Sequence, residues 1–467
     1  MLEPAMESLG HYCGVAGVFA PQARNIPEVL FYMLFSLQHR GQESCGVTWE
    51  EGGAWHSRKD LGMVSPVLGS LLEEHHESKL GIGHVRYSTA GGAGIANAQP
   101  LVVSCNKGKI ALGHNGNISN GGLLRSGLTE EGSIFQGTAD SELILHLVSR
   151  SRASDRETFL AEALAPLQGA YSMVMMHEDA LVVARDPSGF RPLYIARKDG
   201  CSFVASETCA FGCLGPVEFR EVQPGEVIIV DDRGQRSFRL PDAAALSRCV
   251  FELIYFARPD SQIFGRSVHE VRSRLGEELA GQDEGSIEAD IVVPVPDSGT
   301  ISAIGYARNA RLPFDFGLAR SHYAGRSFIL PTKDQRELAA RLKLSAVPAV
   351  VSGKRVIMID DSLVRGTTSR IIVGLLREAG AKSVHVRLAA PELKWPCYYG
   401  IDIPDRDQLI SNRLDPEGIA REIGADSVRF LSKDRMLRAV GESSGFCCAC
   451  FDGRHPFPPM IGRKDEQ

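Results

Sequence analysis

The sequence has no apolar run approaching the ~18 residues that a membrane-spanning helix needs. It has no excess of positive charge either: 51 Lys and Arg face 57 Asp and Glu, a formal net charge of −6. Nothing electrostatic therefore favours nucleic acid as a partner, and no membrane partner is expected. Cysteine is sparse, 11 residues in all, odd in number and unevenly spaced. That excludes a secreted disulfide scaffold and suits a reducing, cytoplasmic setting with thiols free for catalysis or metal. The first 12 residues, MLEPAMESLGHY, contain two glutamates and no Lys or Arg, so they lack the charged and apolar regions of an export signal. They read as a tail, or as a segment removed to expose Cys13.

What is present is ordinary in bulk. Hydrophobic residues make up 43% and charged residues 23%, as in a soluble globular enzyme. At roughly 150 residues per domain, 467 residues suggest two or three domains. The 48 glycines exceed the ~7% average and cluster between apolar runs, where chains turn sharply or approach ligands.

Two halves read differently. From about 13 to 245 the chain shows short alternating apolar segments such as CGVAGVFA, KLGIGHVRYS and KIALGHNGNI, with helical patterns over Ile26 to Arg40 and Ser141 to Val148. Many strands with few helices predict an α+β domain of stacked, largely antiparallel sheets. From about 246 to 467 buried-strand runs alternate with helices: ADIVVPVP then SAIGYARNA, KRVIMIDD then SRIIVGLLREAG, then SVHVRLAAP. That is the pattern of a parallel, doubly wound α/β sheet. The seam is expected near residues 240–248. With no internal repeat or long linker, the halves should pack closely.

The sharpest motif is VIMIDDSLVRGTTS, residues 356–369. An apolar strand ends in Asp360 and Asp361, followed by Ser362, a turn through Arg365 and Gly366, and Thr367 and Thr368 opening a helix. Helix-start N–H groups and hydroxyls form an anion site, and strand-end carboxylates suit ribose hydroxyls and hydrated Mg²⁺. The string is similar to the phosphoribosylpyrophosphate (PRPP) signature of type I phosphoribosyltransferases. A second loop, VVPVPDSGTISA at 292–303, repeats the strand–turn–helix logic with Asp297, Ser298 and Gly299, and resembles the pyrophosphate loop of the same enzymes.

Cys13 opens CGVAGVF. A cysteine at a new N-terminus can use its own α-amine as general base, while a buried strand cysteine is the bland alternative. Three clusters bear on that choice. GHVRYSTAG supplies Arg86 for a substrate carboxylate, GHNGN supplies the Asn115 amide and Gly116 N–H as oxyanion donors, and TADSE supplies Asp140 for an ammonium. Together they describe a pocket for glutamine.

At this point the chain, from Cys13 to about Pro456, resembles the glutamine PRPP amidotransferase family. LQHRGQES, DPSGFRPL, YFARPDS, GRSFILP and PCYYGID carry the likeness alongside the motifs above. The resemblance implies an N-terminal-nucleophile hydrolase domain followed by a type I phosphoribosyltransferase domain, with residues 1–12 a propeptide. It implies glutamine hydrolysis at Cys13 and transfer of ammonia to C1 of PRPP, giving 5-phosphoribosylamine, the committed step of purine synthesis. Mg²⁺ would sit at Ser298, Asp360 and Asp361. Purine nucleotides would be feedback inhibitors and the assembly a homotetramer. Residues 323–347 would form a lid, with Arg326, Arg336 and Lys343 reaching phosphate.

Four thiols, Cys249, Cys397, Cys447 and Cys450, are what a 4Fe–4S cluster or a structural zinc requires. The resemblance is to the iron–sulfur subgroup and favours the cluster. FCCACF departs from it by adding Cys448 inside the C-x-x-C, while Cys45, Cys105, Cys201, Cys209 and Cys213 are expected to pack. Two rivals remain: an amino-sugar amidotransferase, which would lack the 356–369 string, and a PRPP-binding regulatory protein with a residual glutaminase domain.

Overall fold

The computed structural model describes residues 13–87, 94–240, 245–321, 344–441 and 444–457. The expected propeptide and the lid residues Arg326, Arg336 and Lys343 lie outside these ranges.

The first half is two antiparallel sheets stacked face to face. One has seven strands, in the order Glu218–Glu221, Tyr194–Lys198, Cys201–Ala205, Gly14–Arg24, Ser78–Arg86, Ser44–Glu51 and Ala54–Leu61. The other has six: Gly234–Arg239, Glu226–Asp231, Ala180–Arg185, Gly169–His177, Gly108–Ile118 and Leu101–Cys105. Strand periodicity explains the layering. Along Gly14–Arg24, Val15 and Phe19 join Ile82, Val174 and Leu181 between the sheets, while Ala16, Val18 and Ala20 face the opposite way, beneath helix Ile26–Ser36. Helices Ser141–Arg150 and Arg156–Leu164 cover the outer face of the six-stranded sheet through Leu143, Ile144, Phe159 and Leu160.

The helix expected over Ile26 to Arg40 stops at Ser36. Leu37 leaves helical geometry, and its N–H bonds tighten onto Met33 and Leu34. The turn that follows carries Arg40 away from the helix axis into a buried ionic network, which an unbroken helix would not reach. The second helix runs two residues beyond Val148, to Arg150.

The second half is built on a parallel sheet ordered Ile291–Pro294, Arg355–Asp360, Ser383–Leu388 and Ser427–Phe430. Both faces of Arg355–Asp360 are buried, which is why it reads as a continuous apolar run. Ile357 and Ile359 face helices Val268–Asp283 and Thr300–Ala310. Val356 and Met358 face helices Thr367–Glu378 and Pro416–Ile423. From Ile291–Pro294 the chain first bridges to Phe314 on one side, then crosses to Arg355–Asp360 on the other. The loops after these two strands therefore flank a topological switch point, where such sheets bind ligands. One continuous apolar cluster runs from Leu34 through Phe251 to Leu275, so the two halves share a core.

Candidate active sites

Cys13 stands immediately before the central strand Gly14–Arg24, with its sulfur 3.7 Å from the Tyr87 carbonyl oxygen to which it donates. Burial pushes its thiol up; the Arg86 guanidinium pulls it down, and Asp140 and Glu43 push it up again. Those charges place Arg86, Asp140 and Glu43 around the sulfur. Arg86 closes strand Ser78–Arg86, is buried, and pairs with Glu43 at 2.7 Å. Asp140, just ahead of helix Ser141–Arg150, accepts the Ile118 N–H at 2.8 Å. The C-terminal end of strand Gly108–Ile118 thus lies beside the thiol.

That strand end is where Asn115 and Gly116 sit. Asn115 is fully buried, and neither its amide nitrogen nor its amide oxygen has a hydrogen-bond partner. A buried amide left so costs roughly 1–3 kcal/mol per group, a cost that a ligand oxygen would offset. Gly116 has φ of 147°, and a Cβ there would stand 2.0 Å from the Ala170 carbonyl oxygen, so no larger residue fits. The His114 N–H is taken by Gln99 at 2.7 Å and the Ile118 N–H by Asp140. Gly116, midway between them on the same strand edge, directs its N–H along the edge that Asp140 flanks.

The second site lies at the switch point. Asp360 and Asp361 are both buried, and the Asp361 N–H donates to Asp360 at 2.9 Å. Burial, then the neighbouring Asp361 charge, pushes the Asp360 carboxyl well up; burial raises Asp361 to about 6. Two desolvated hard-oxygen donors held together are a fitting set for a divalent cation. Ser298 donates to Asp360 at 3.2 Å, bringing the two loops together. Asp297, across the cis Pro296–Asp297 peptide, is exposed and pairs with Arg320. Ser362 reaches Asp361 at 3.4 Å, and Arg365 is turned to Gln408. Gly366, at φ of 88°, precedes the twelve-residue helix that Thr367 and Thr368 open.

The four distant cysteines converge. Cys249 and Cys447 are partners in a short parallel pairing. After burial, the charges that raise Cys450 are those of Cys397, Cys447, Cys249 and, last, Cys448. All 11 cysteines are free thiols. Cys448 is half-buried; burial and then Asp452 push it up to about 12, against the pull of Lys433. Among the described residues, only His39, Glu207 and Cys209 bring three ligand-type atoms within 4.8 Å of one another. Four thiols brought together from three separate segments are a donor set for a thiolate-bound metal site.

Several site-bearing residues escaped the motif reading. Cys209, expected to pack, adjoins Glu207, which is already bound by His39, Arg40 and Ser261. A metal there would have to displace a guanidinium, so the trio reads as an ionic network. Arg40 donates to the Cys13 carbonyl oxygen at 3.1 Å and to Glu252 from the other half at 2.8 and 2.9 Å. Arg272 is buried below Asp361 and donates to the carbonyls of Leu253 and Ala257. LQHRGQES contained Arg40, but only the fold reveals its partners.

The stacked sheets behind Cys13 and the parallel sheet behind Asp360 define a two-site enzyme, a glutamine amidotransferase joined to a pentosyltransferase. A glutamine amidotransferase domain family matches residues 84–212. Amidophosphoribosyltransferase of Bacillus subtilis is 44% identical over 457 residues, covering 97% of this chain and 95% of that one. The Methanocaldococcus jannaschii amidophosphoribosyltransferase is 41% identical, covering 97% of this chain and 100% of its own. The solved B. subtilis glutamine PRPP amidotransferase, complexed with ADP and GMP, superposes with a TM-score of 0.89 at 43% identity, covering 97% and 98% of the two chains. This chain belongs to the amidophosphoribosyltransferase family. Full-length likeness to enzymes does not favour the regulatory-protein alternative. Among the described residues no helix is long and apolar enough to cross a membrane.

Proposed function

We propose that residues 13–245 hydrolyse glutamine and residues 246–467 transfer the released ammonia to PRPP. The Cys13 α-amine, freed by removal of residues 1–12, takes the thiol proton directly or through water. The sulfur bonds to the glutamine amide carbon while the Asn115 amide and Gly116 N–H hold the oxyanion. The C–N bond then breaks, ammonia leaves carrying the proton, and water cleaves the thioester to glutamate. Arg86 holds the substrate carboxylate and Asp140 its ammonium. The observation that carries this reading is the buried, unpartnered Asn115 amide beside Cys13.

In the second half, ammonia bonds to C1 of PRPP as pyrophosphate leaves, giving 5-phosphoribosylamine. Gly366, Thr367 and Thr368 hold the 5-phosphate, and Ser362 and Arg365 line the approach to it. Asp360 and Asp361 hold the ribose hydroxyls, and Asp297 orients the pyrophosphate loop. Ser298, Asp360 and Asp361 would hold Mg²⁺, which when bound neutralises pyrophosphate charge. Positioning and charge stabilisation supply most of the catalysis here. Cys249, Cys397, Cys447 and Cys450 would hold a 4Fe–4S cluster that ties the C-terminal segment to the seam between the halves.

The product would feed purine synthesis in the cytoplasm, with purine nucleotides as inhibitors of a homotetramer. The relative solved with ADP and GMP supports nucleotide regulation. The test is release of glutamate and pyrophosphate by anaerobically prepared protein, with and without PRPP. Glutamate release that rises with PRPP, in step with pyrophosphate, is expected. Glutamate release indifferent to PRPP, without pyrophosphate, would overturn the reading.

A further inference from the structure

Strand Gly108–Ile118 is supported unevenly. On one edge it pairs with Gly169–His177 along its whole length, as far as Ile118↔Gly169. On the other, Leu101–Cys105 pairs with it only up to Leu112. Among the described residues, the end that carries Asn115 and Gly116 therefore has no strand paired on that edge. A segment from the other half of the chain closes on the carbonyl side of Gly116. The Asn117 amide donates to the Tyr398 carbonyl oxygen at 3.0 Å. Gly400 presses so closely on the strand that a Cβ there would stand 3.1 Å from both the carbonyl carbon and oxygen of Gly116. Gly400 has φ of 99°, a conformation that further disfavours any side chain.

The segment is itself rigidly held. Arg191 donates to the Tyr399 carbonyl oxygen. The Tyr399 ring stacks on Phe190 at 4.4 Å, and its hydroxyl donates to the Phe457 carbonyl oxygen at 2.7 Å. The Tyr399 N–H is accepted by the Cys397 sulfur at 3.3 Å. Donors to an oxyanion act only where their direction is fixed before charge develops. We propose that Tyr398–Gly400 is a strap from the transferase half that holds the Gly116–Asn117 peptide and, through the backbone angles of Gly116, fixes the direction of the Gly116 N–H on the preceding peptide, making Gly400 and Asn117 positioning residues for glutamine hydrolysis. The inference rests on the reading of Asn115 and Gly116 as oxyanion donors. It adds that this hole is completed by the other catalytic half.

The test uses mature full-length enzyme and two ligands of the glutamine site. Glutamate γ-semialdehyde adds to Cys13: a bond forms between Sγ and the aldehyde carbon, and the thiol proton passes to the oxygen, which then lies in the hole. Glutamate occupies the site without a bond to sulfur, so its planar carboxylate presents no tetrahedral oxygen to the hole. In Gly400→Ala, kcat for glutamine should fall by about tenfold or more, with KM unchanged. Affinity for the semialdehyde should fall by the same factor while affinity for glutamate and ammonia-dependent transfer hold. Asn117→Ala introduces no clash and removes one hydrogen bond; it should show the same pattern in smaller measure and decides the matter if Gly400→Ala fails to fold. Parallel loss of both ligands, or no change in their ratio, would overturn the strap. A wild-type enzyme without glutaminase activity, or with equal affinity for the two ligands, would instead overturn the oxyanion-donor reading beneath it.

Discussion

Arg40 and Glu252 form a doubly hydrogen-bonded pair across the two halves, at 2.9 and 2.8 Å, with both side chains fully buried. The same guanidinium reaches Glu207 and the Cys13 carbonyl oxygen. Removing Arg40 would leave Glu252 with only Arg191 at 3.4 Å and Glu207 with His39, Ser261 and the Arg258 N–H, and breaking a buried pair costs up to about 3–5 kcal/mol. Arg40→Ala should therefore lower the thermal midpoint and reduce glutamine hydrolysis together. Burial alone would raise the Glu207 carboxyl, but the His39 and Arg40 charges override it and hold it well below the usual range. A depressed folded value stabilises above the ordinary carboxylate pKa and is lost as pH falls through the folded one. The wild type should accordingly lose this contribution only in strong acid, and thermal melts of both proteins against pH check it.

Separate sites predict separable activities. Cys13→Ala removes the only proposed nucleophile and touches none of the residues at the switch point. Glutamine-dependent synthesis should vanish while ammonia-dependent synthesis of 5-phosphoribosylamine persists. Pyrophosphate release with ammonium salts as nitrogen source is the measurement. Loss of both activities in a folded variant would count against two sites.

Asn115→Ala addresses the hole itself. One oxyanion donor is worth about 10²–10³ in kcat, so glutaminase kcat should fall by that much. Because the buried amide has no protein partner to lose, stability should hold or rise slightly. A stable variant with unchanged kcat would remove Asn115 from the mechanism.

The local chemistry was legible in the sequence wherever it sat on one strand or turn. The run KRVIMIDD became strand Arg355–Asp360 with its two acids at the carboxyl end, and GHNGN became the end of a strand beside Cys13. What the sequence hid were partnerships between distant residues. Arg40 reads as a polar residue closing a helix until Glu207 and Glu252 are seen around it. Gly400 reads as an ordinary turn glycine until Gly116 is found against it. Periodicity reports which face a residue takes, and carries no information about which remote segment meets that face.

Asp360 and Asp361 offer a test of metal linkage. Two buried neighbouring carboxylates repel and are desolvated, and both are pushed up. A divalent cation relieves that cost, so Mg²⁺ should raise the thermal midpoint. Asp361→Asn removes one charge while keeping shape. It should raise the metal-free midpoint, blunt the Mg²⁺ response and abolish PRPP use, leaving basal glutamine hydrolysis intact. A lower metal-free midpoint would mean that Arg272, buried beneath the pair, already compensates the charge.

Metal content separates the two metals the cysteine site would take. Anaerobically purified protein should hold about four irons per chain, and Cys397→Ser should lose them. Asp452 and Lys433 act on Cys448 more strongly than Cys249 does, so Cys448→Ser should leave the iron content unchanged. Iron-free, zinc-loaded and active protein would establish zinc. Loss of iron in Cys448→Ser, with retention in Cys447→Ser, would shift the ligand register by one residue.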